Sequence, residues 1–165
     1  MRLHSRDGAS VSVLPARYQF GANPQAAPGT DWDANWLVIR GDVQTADGAG
    51  WTFTDPCLTT WEAQELGMWL RGAADGLVPP APDWFDDEAG LLVFTEPNLA
   101  LSVEHRSNGR LRIRVHFSLE ALPPWLIGAN QPDLHEHVVM LDVSSDALAT
   151  AATEWDNDCA PFPIG

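Results

Sequence analysis

The sequence predicts a single α+β domain, residues 1–165, with a mostly antiparallel β-sheet of about six or seven strands and two helices packed on it. Short segments in which apolar and polar residues alternate recur along the chain, and such alternation is typical of half-buried strands. Two other segments repeat apolar residues at helical spacing after a capping residue. A chain of 165 residues is expected to form one domain with a substantial core.

The first strands are predicted in the N-terminal third of the chain. Residues 11–20 indicate one or two short strands, broken at Pro15 and followed by a loop rich in Pro, Gly and Ala. Apolar and polar residues alternate in 36–43 and again in 51–54. The turn signal Asp47-Gly48 lies between these two segments, which together predict a β-hairpin with a longer loop.

Two helices are predicted from capping residues and apolar spacing. Thr59 and Glu62 have the spacing of a capping box, and the helix should run to about Ala74, with Gly76 near its C-terminal end. Its apolar stripe consists of Trp61, Leu66, Trp69, Leu70 and Ala73. After one more strand within residues 133–143, Ser144 or Ser145 can cap a final helix through about Trp155.

The clearest strand pattern is at residues 110–119, where Arg and His share one face and large apolar residues share the other. The apolar face of the preceding strand must meet the same core. A three-residue loop, Ser107-Asn108-Gly109, satisfies this condition, with Gly109 supplying a positive φ. This register places Glu104 opposite Arg112 as a favourable cross-strand pair.

The charge of the chain excludes two classes of partner. The formal net charge is −14, with 23 acidic residues, nine Arg and no Lys. Nucleic-acid backbones and anionic membrane surfaces are both recognised through many basic contacts, so neither is an expected partner. Four of the nine Arg lie between Arg106 and Arg114, which predicts one small basic patch on an acidic surface.

The sequence also indicates where the protein works. The N-terminus lacks the apolar region of a signal peptide, and no apolar run reaches the roughly 18 residues of a membrane span. A cytoplasmic protein is therefore expected. Cys57 and Cys159 are most simply two free thiols, because neither belongs to a CxxC pair.

A metal site and an enzyme site have some basis in the sequence. His135 and His137 would face the same way on a strand, but no further ligands are evident, so no metal and no cofactor are predicted. Carboxylates near a histidine can perform acid–base chemistry if the fold brings them together. The candidates are Asp55, Glu62, Glu96, Glu120 and His116, although helix capping and turn hydrogen bonds explain such carboxylates equally well.

Two segments combine aromatic and acidic residues and are candidates for partner binding. One precedes the strand at residue 36, and the other lies in the proline-rich acidic loop of residues 77–90. Aromatic anchors beside complementary charge are common in protein interfaces, and proline stiffening lowers the ordering cost on binding. The alternative is that the loop aromatics fold back over a helix. The predicted partner-binding residues are Trp84, Phe85, Asp86, Asp87, Glu88, Asp31 and Asp33.

Several short motifs occur in a fixed order along the chain. They are Tyr18-Gln19-Phe20, Asn35-Trp36-Leu37-Val38-Ile39-Arg40-Gly41, Trp51-Thr52-Phe53-Thr54-Asp55-Pro56-Cys57-Leu58, Thr60-Trp61-Glu62, Phe94-Thr95-Glu96-Pro97-Asn98-Leu99, Phe117-Ser118-Leu119-Glu120, Pro123-Pro124-Trp125 and Phe162-Pro163. In this order they resemble the WapI-type immunity protein family of bacteria. The resemblance covers roughly residues 11–163, and the 77–90 insert is particular to this chain.

This resemblance implies a cytoplasmic immunity protein that binds and blocks the C-terminal domain of a cognate secreted toxin, often a nuclease. It implies no catalytic residues, and the basic cleft expected of a nuclease suits an acidic binder. Two other classes of function stay open at this point. One is a small hydrolase-like enzyme using a carboxylate/histidine cluster, and the other is an acidic protein-interaction adaptor.

Overall fold

The chain folds into two antiparallel four-stranded sheets and two helices in the computed structural model, which describes residues 1–21, 32–81, 90–128 and 131–164. The predicted α+β class is confirmed, with eight strands among the described residues. The additional strand β1 has three residues, too few to show alternation. The elements are β1 (Arg2–His4), β2 (Ser10–Tyr18), β3 (Trp36–Gln44), β4 (Gly50–Thr59), α1 (Thr60–Asp75), β5 (Leu91–Val93), β6 (Leu99–Ser107), β7 (Arg110–Phe117), β8 (His137–Ser144) and α2 (Ser145–Cys159).

Both sheets are meanders in which neighbouring strands follow one another in the chain. The orders are β1-β2-β3-β4 and β5-β6-β7-β8, so β4 is an edge strand of the first sheet. The two sheets meet at β1 and β8, where the Asp142 amide donates to the Ser5 hydroxyl over 3.0 Å. Buried apolar side chains of both sheets and both helices form one hydrophobic core. That residues 1–165 form one domain stays a prediction.

The helix boundaries follow the predicted capping residues. At the start of α1 both halves of the Thr59–Glu62 capping box are formed, and Gly76 ends the helix in the left-handed conformation with φ of 83°. The Ser144 hydroxyl caps α2. The two helices pack together, and the Trp155 indole donates to the Ala63 carbonyl oxygen of α1 over 2.7 Å.

The β6–β7 hairpin differs from the predicted register. Ser107 pairs directly with Arg110, so the turn has two residues, Asn108 and Gly109, and both have a positive φ as in a type I′ turn. The predicted three-residue loop is therefore wrong. A bulge at Glu104 adds one residue to β6 and restores the pairing of Val103 with Ile113, which keeps both apolar faces on the core.

The predicted placement of Glu104 opposite Arg112 is wrong for the same reason, because His105 occupies that position. The bulge instead directs the Glu104 carboxylate to two arginines of β7. It lies 3.1 Å from Arg114 and 3.8 Å from Arg112. The ion pair with Arg112 thus forms without the predicted register.

Candidate functional site

An open acidic cleft of about 480 Å³ lies where strands of both sheets end. Trp36 opens β3 at this end of the first sheet, and β7 closes the same end of the second sheet at Phe117. The lining residues are Gln19, Trp36, Asp55, Pro56, Glu96, Asn98 and Glu120. The cleft therefore collects residues from five separate parts of the chain.

Local structure explains how each carboxylate reaches the cleft. Along β4 the side chains of Trp51 and Phe53 are buried on one face, and Asp55 is the next residue on that face, just before the bulge at Cys57. Glu96 lies in the turn before β6. Glu120 lies in the one-turn 3₁₀-helix Leu119–Ala121, directly after β7. Strand alternation and two turns thus point three carboxylates at the same space.

Hydrogen bonds fix the walls of the cleft. Glu62, besides capping α1, accepts from the Thr95 amide over 2.6 Å and so ties the turn that carries Glu96 to the helix. Asn98 is buried, and its side-chain amide donates to the Glu120 carboxylate over 3.3 Å. The Ser118 amide donates to the Asn98 carbonyl oxygen over 2.9 Å. The acidic side chains are therefore presented by an ordered frame.

No Arg or Lys lines the cleft among the described residues, and the carboxylates of Asp55 and Glu96 have no hydrogen-bond or ion-pair partner there. Burial raises the pKa of Asp55, and repulsion from Glu120 and Glu96 raises it further. Three acidic groups thus share one cleft without a counter-charge from the described part of the protein. Such a site favours a cationic group supplied from outside.

The arginines of the predicted basic patch are used within the protein. Arg110 pairs with Asp142, and the buried Arg114 pairs with Glu104 and donates to the Ala81 carbonyl oxygen. Arg106 donates to a main-chain carbonyl oxygen near the end of α1. The arginines of this patch therefore have partners within the protein, and none of them lines the acidic cleft.

The structure describes one of the residues predicted to bind a partner. Asp33 is exposed in the 3₁₀-turn Asp33–Asn35 before β3. The predicted residues Asp31, Trp84, Phe85, Asp86, Asp87 and Glu88 lie outside the described residues. Ala81 and Gly90 are the described residues closest in sequence to the segment 84–88. The Ala81 amide donates to the Val103 carbonyl oxygen over 2.8 Å, and Gly90 packs against Ala81. Both flanks of the acidic segment therefore meet on the second sheet.

The histidines do not form the geometry that a metal site or an enzyme would need. His135 lies in a turn with φ of 67° before β8 begins at His137, so the two do not alternate on one strand. Among the described residues no group of three or more His, Cys, Asp and Glu is placed to hold a metal ion.

His116 is buried away from the residues that line the cleft. Its Nδ1 contacts the His135 carbonyl oxygen over 2.8 Å, and its Nε2 contacts the Ser102 hydroxyl over 3.0 Å. Burial lowers the pKa of His116 to about 4. The convergence of Glu96, Glu120 and His116 that the enzyme hypothesis requires is not found, since only the two carboxylates line the cleft.

Comparison with protein-family models matches residues 2–163 to the family described as Immunity protein WapI-like. The chain belongs to the WapI-like immunity protein family. The resemblance seen in the sequence is confirmed, and its motifs supply all seven residues that line the cleft. Short motifs that are distant in the sequence of this WapI-like protein therefore meet at one site.

Two further findings bear on this WapI-like protein. The search of curated proteins found no match. Among the described residues, neither helix has both the length and the apolar character needed to cross a membrane.

Proposed function

We propose that this protein neutralises the C-terminal domain of a cognate secreted bacterial toxin by binding it, without catalysis, in the cytoplasm of the producing cell. The observation that carries the proposal is the match to the WapI-like immunity family over residues 2–163. The acidic cleft supports it, because three carboxylates without a described counter-charge suit a basic protein partner.

We further propose that the toxin domain is a nuclease. A nuclease presents a basic surface to its substrate, and a protein of net charge −14 can occupy or approach that surface as the substrate does. Nucleic acid itself is not a proposed partner of this chain, since it would repel the same carboxylates.

Co-expression tests the proposal directly. The toxin C-terminal domain encoded beside this protein is induced in a sensitive host, with and without the protein. Restored growth together with a stable purified complex is the expected result. Continued toxicity despite soluble co-expression would refute immunity for that pair.

The two alternative functions have less support. An enzyme built on the carboxylates and His116 lacks its base, because His116 is buried outside the cleft. An acidic adaptor would require stable complexes with partners other than a toxin, and pull-down with the adjacent toxin domain present as competitor would separate the two cases.

The aromatic and acidic segment of residues 84–88 is also proposed to contact the toxin. Its described flanks are held on the second sheet by Arg114 and Val103. Reversing Asp86 and Asp87 to Lys should weaken toxin binding by about tenfold or more, because it places positive charge against a basic partner. Calorimetry measures the change, and unchanged affinity would move the interface away from this segment.

A further inference from the structure

Exposed apolar side chains are concentrated in the connection between β7 and β8, residues 118–136. Trp125 is 58% exposed, Ile127 56% and Leu134 50%. Single exposed apolar residues are ordinary on protein surfaces, but a group of large ones rimmed by charge commonly marks an interaction site. These three lie within ten positions of one another in a chain of high net charge.

The Trp125 ring packs against the buried Trp51 ring. The buried Trp51 indole donates to the Ala121 carbonyl oxygen over 2.9 Å, which fixes the start of the connection on β4. The Trp125 ring meets the Trp51 ring edge-on, with 6.0 Å between centroids, and His137 contacts the same Trp51 ring. A tryptophan held in this way loses little conformational freedom on binding.

The apolar connection is continuous with the acidic cleft. The Ser118 hydroxyl accepts from the His135 amide over 2.8 Å, and the Ser118 amide donates to the Asn98 carbonyl oxygen. Glu120 and Ala121 belong to the same 3₁₀-turn, so one residue lines the cleft while its neighbour anchors Trp51. The connection therefore starts at the wall of the cleft, because Glu120 belongs to both.

The charges on this surface have one sign. The cleft contributes Asp55, Glu96 and Glu120, and the connection adds Asp133 and Glu136. No Arg or Lys occurs in residues 115–165. A second copy of this chain is a poor occupant, because it would bring the same carboxylates to the interface. A basic partner with an apolar centre fits both parts of the surface.

We propose that this surface, consisting of the acidic cleft and the exposed side chains of Trp125, Ile127 and Leu134, is where a basic globular protein docks. Trp125 enters an apolar recess of the partner, and an Arg or Lys side chain of the partner enters the cleft beside Asp55. The inference rests on the proposed function, in which that partner is the toxin domain.

Binding of the toxin domain that the wild-type protein neutralises tests both parts of the surface. Trp125→Ala should weaken binding by about thirtyfold, and E96Q/E120Q by about tenfold or more. The matched controls are Met68→Ala, at a side chain 62% exposed on α1, and D42N/D75N, which removes the same charge elsewhere. Each control should change the affinity by less than roughly threefold. Thermal unfolding verifies that every variant is folded.

A probe that needs no toxin tests the cleft alone. Nα-acetyl-L-arginine amide is titrated into the free protein while NMR follows the Trp36 indole and Asn98 side-chain signals. Shifts at these groups that persist in D42N/D75N and vanish in E96Q/E120Q support a cation-binding cleft. Shifts spread equally over the acidic surface, or none, would overturn it.

The outcomes separate the inference from the proposed function. If wild-type protein binds and neutralises the toxin while W125A and E96Q/E120Q bind equally well, the docking surface is refuted and immunity stands. If E96Q/E120Q and D42N/D75N weaken binding equally, charge acts at long range, and the claim that a basic side chain of the partner enters the cleft is refuted. If wild-type protein neither binds nor protects, the proposed function fails, whereas the arginine-amide titration still decides whether the cleft receives a cation.

Discussion

In the docking proposal, Asp55 serves binding at the expense of stability. Its carboxylate is half-buried, and its pKa is raised by burial and by Glu120 and Glu96. The ionised form is therefore less favourable in the folded than in the unfolded protein at neutral pH. An external cation would relieve the repulsion.

Asp55→Asn is accordingly expected to stabilise the free protein by under about 1 kcal/mol near pH 7, and to weaken binding of the toxin. The raised pKa of Asp55 costs stability only where the carboxyl group is ionised. The stabilisation by Asp55→Asn should therefore disappear near about pH 3, where Asp55 is protonated in both the folded and the unfolded protein. Urea unfolding at both pH values measures it. Asp47→Asn is the contrast, because the Thr45 hydroxyl and Ala49 amide lower the pKa of Asp47. That variant should destabilise, and stabilisation by both would refute the argument.

His116 makes the fold sensitive to acid. The His135 carbonyl oxygen can only accept, so Nδ1 of His116 donates to it and Nε2 accepts from the Ser102 hydroxyl. Burial lowers the pKa to about 4 and keeps the ring neutral. Burial also lowers the pKa of His135 and of His137.

A depressed histidine pKa means that the unfolded chain binds the proton more readily. Stability is therefore fully present above about pH 6.5 and is lost as the pH falls towards about 4, by up to roughly 3 kcal/mol from His116. His116→Gln should lower stability at neutral pH and flatten this pH dependence. Urea unfolding between these pH values measures the slope, with His4→Gln at an exposed histidine as control. An unchanged slope in H116Q would contradict the assignment.

At the scale of elements, α1 and the cleft wall are joined by Glu62. Its carboxylate completes the capping box with Thr59 and also accepts from the Thr95 amide. Loss of Glu62 therefore has two consequences, at the helix start and at the turn that carries Glu96.

Glu62→Ala should reduce the free energy of unfolding by about 2 kcal/mol, and Thr59→Ala by about 1 kcal/mol. Both variants break the capping box, but only the first removes the bond to Thr95. Hydrogen exchange at the Thr95 amide should accelerate in E62A and change little in T59A. Equal exchange in the two variants would show that Glu62 does not hold the cleft wall.

Sequence reasoning succeeded where the determining interactions are local. The capping box, the Gly76 C-terminal cap and the Ser144 cap depend on residues a few positions apart, and all three formed. The predicted β6–β7 register is wrong because simple alternation of apolar and polar residues does not reveal a bulge. Asn108 and Gly109 form the two-residue turn that is common for this dipeptide, and the bulge at Glu104 accommodates the extra residue.

The cleft could not be predicted from spacing, because it depends on which strand ends meet. Asp55 and Glu120 are 65 positions apart and come together only through the meeting of the two sheets. The Trp125 surface was missed for a related reason. The motif Pro123-Pro124-Trp125 belongs to the family resemblance. Whether the Trp125 side chain is exposed, however, depends on its packing against Trp51, which is distant in the sequence.

Across the whole molecule, the arrangement of arginine determines what the charge of −14 can do. Arg110, Arg112 and Arg114 each pair with a neighbouring carboxylate of the second sheet. Arg2 and Arg71 pair with acidic residues of α2. The cleft and the β7–β8 connection receive no such compensation from the described residues. The carboxylates of the proposed docking surface therefore contribute a negative field that no arginine of the described residues compensates locally.

A field of this kind should act mainly on the rate of association. Raising NaCl from about 0.05 M to about 0.5 M is expected to slow association with the toxin domain by about tenfold or more, while dissociation changes little, since screening shortens the range of attraction. Stopped-flow fluorescence of the tryptophans measures both rates. E96Q/E120Q should start slower and respond less to salt than D42N/D75N, whereas W125A should mainly accelerate dissociation. Association that is insensitive to salt in the wild-type protein would refute electrostatic capture and leave complementarity around Trp125 as the source of affinity.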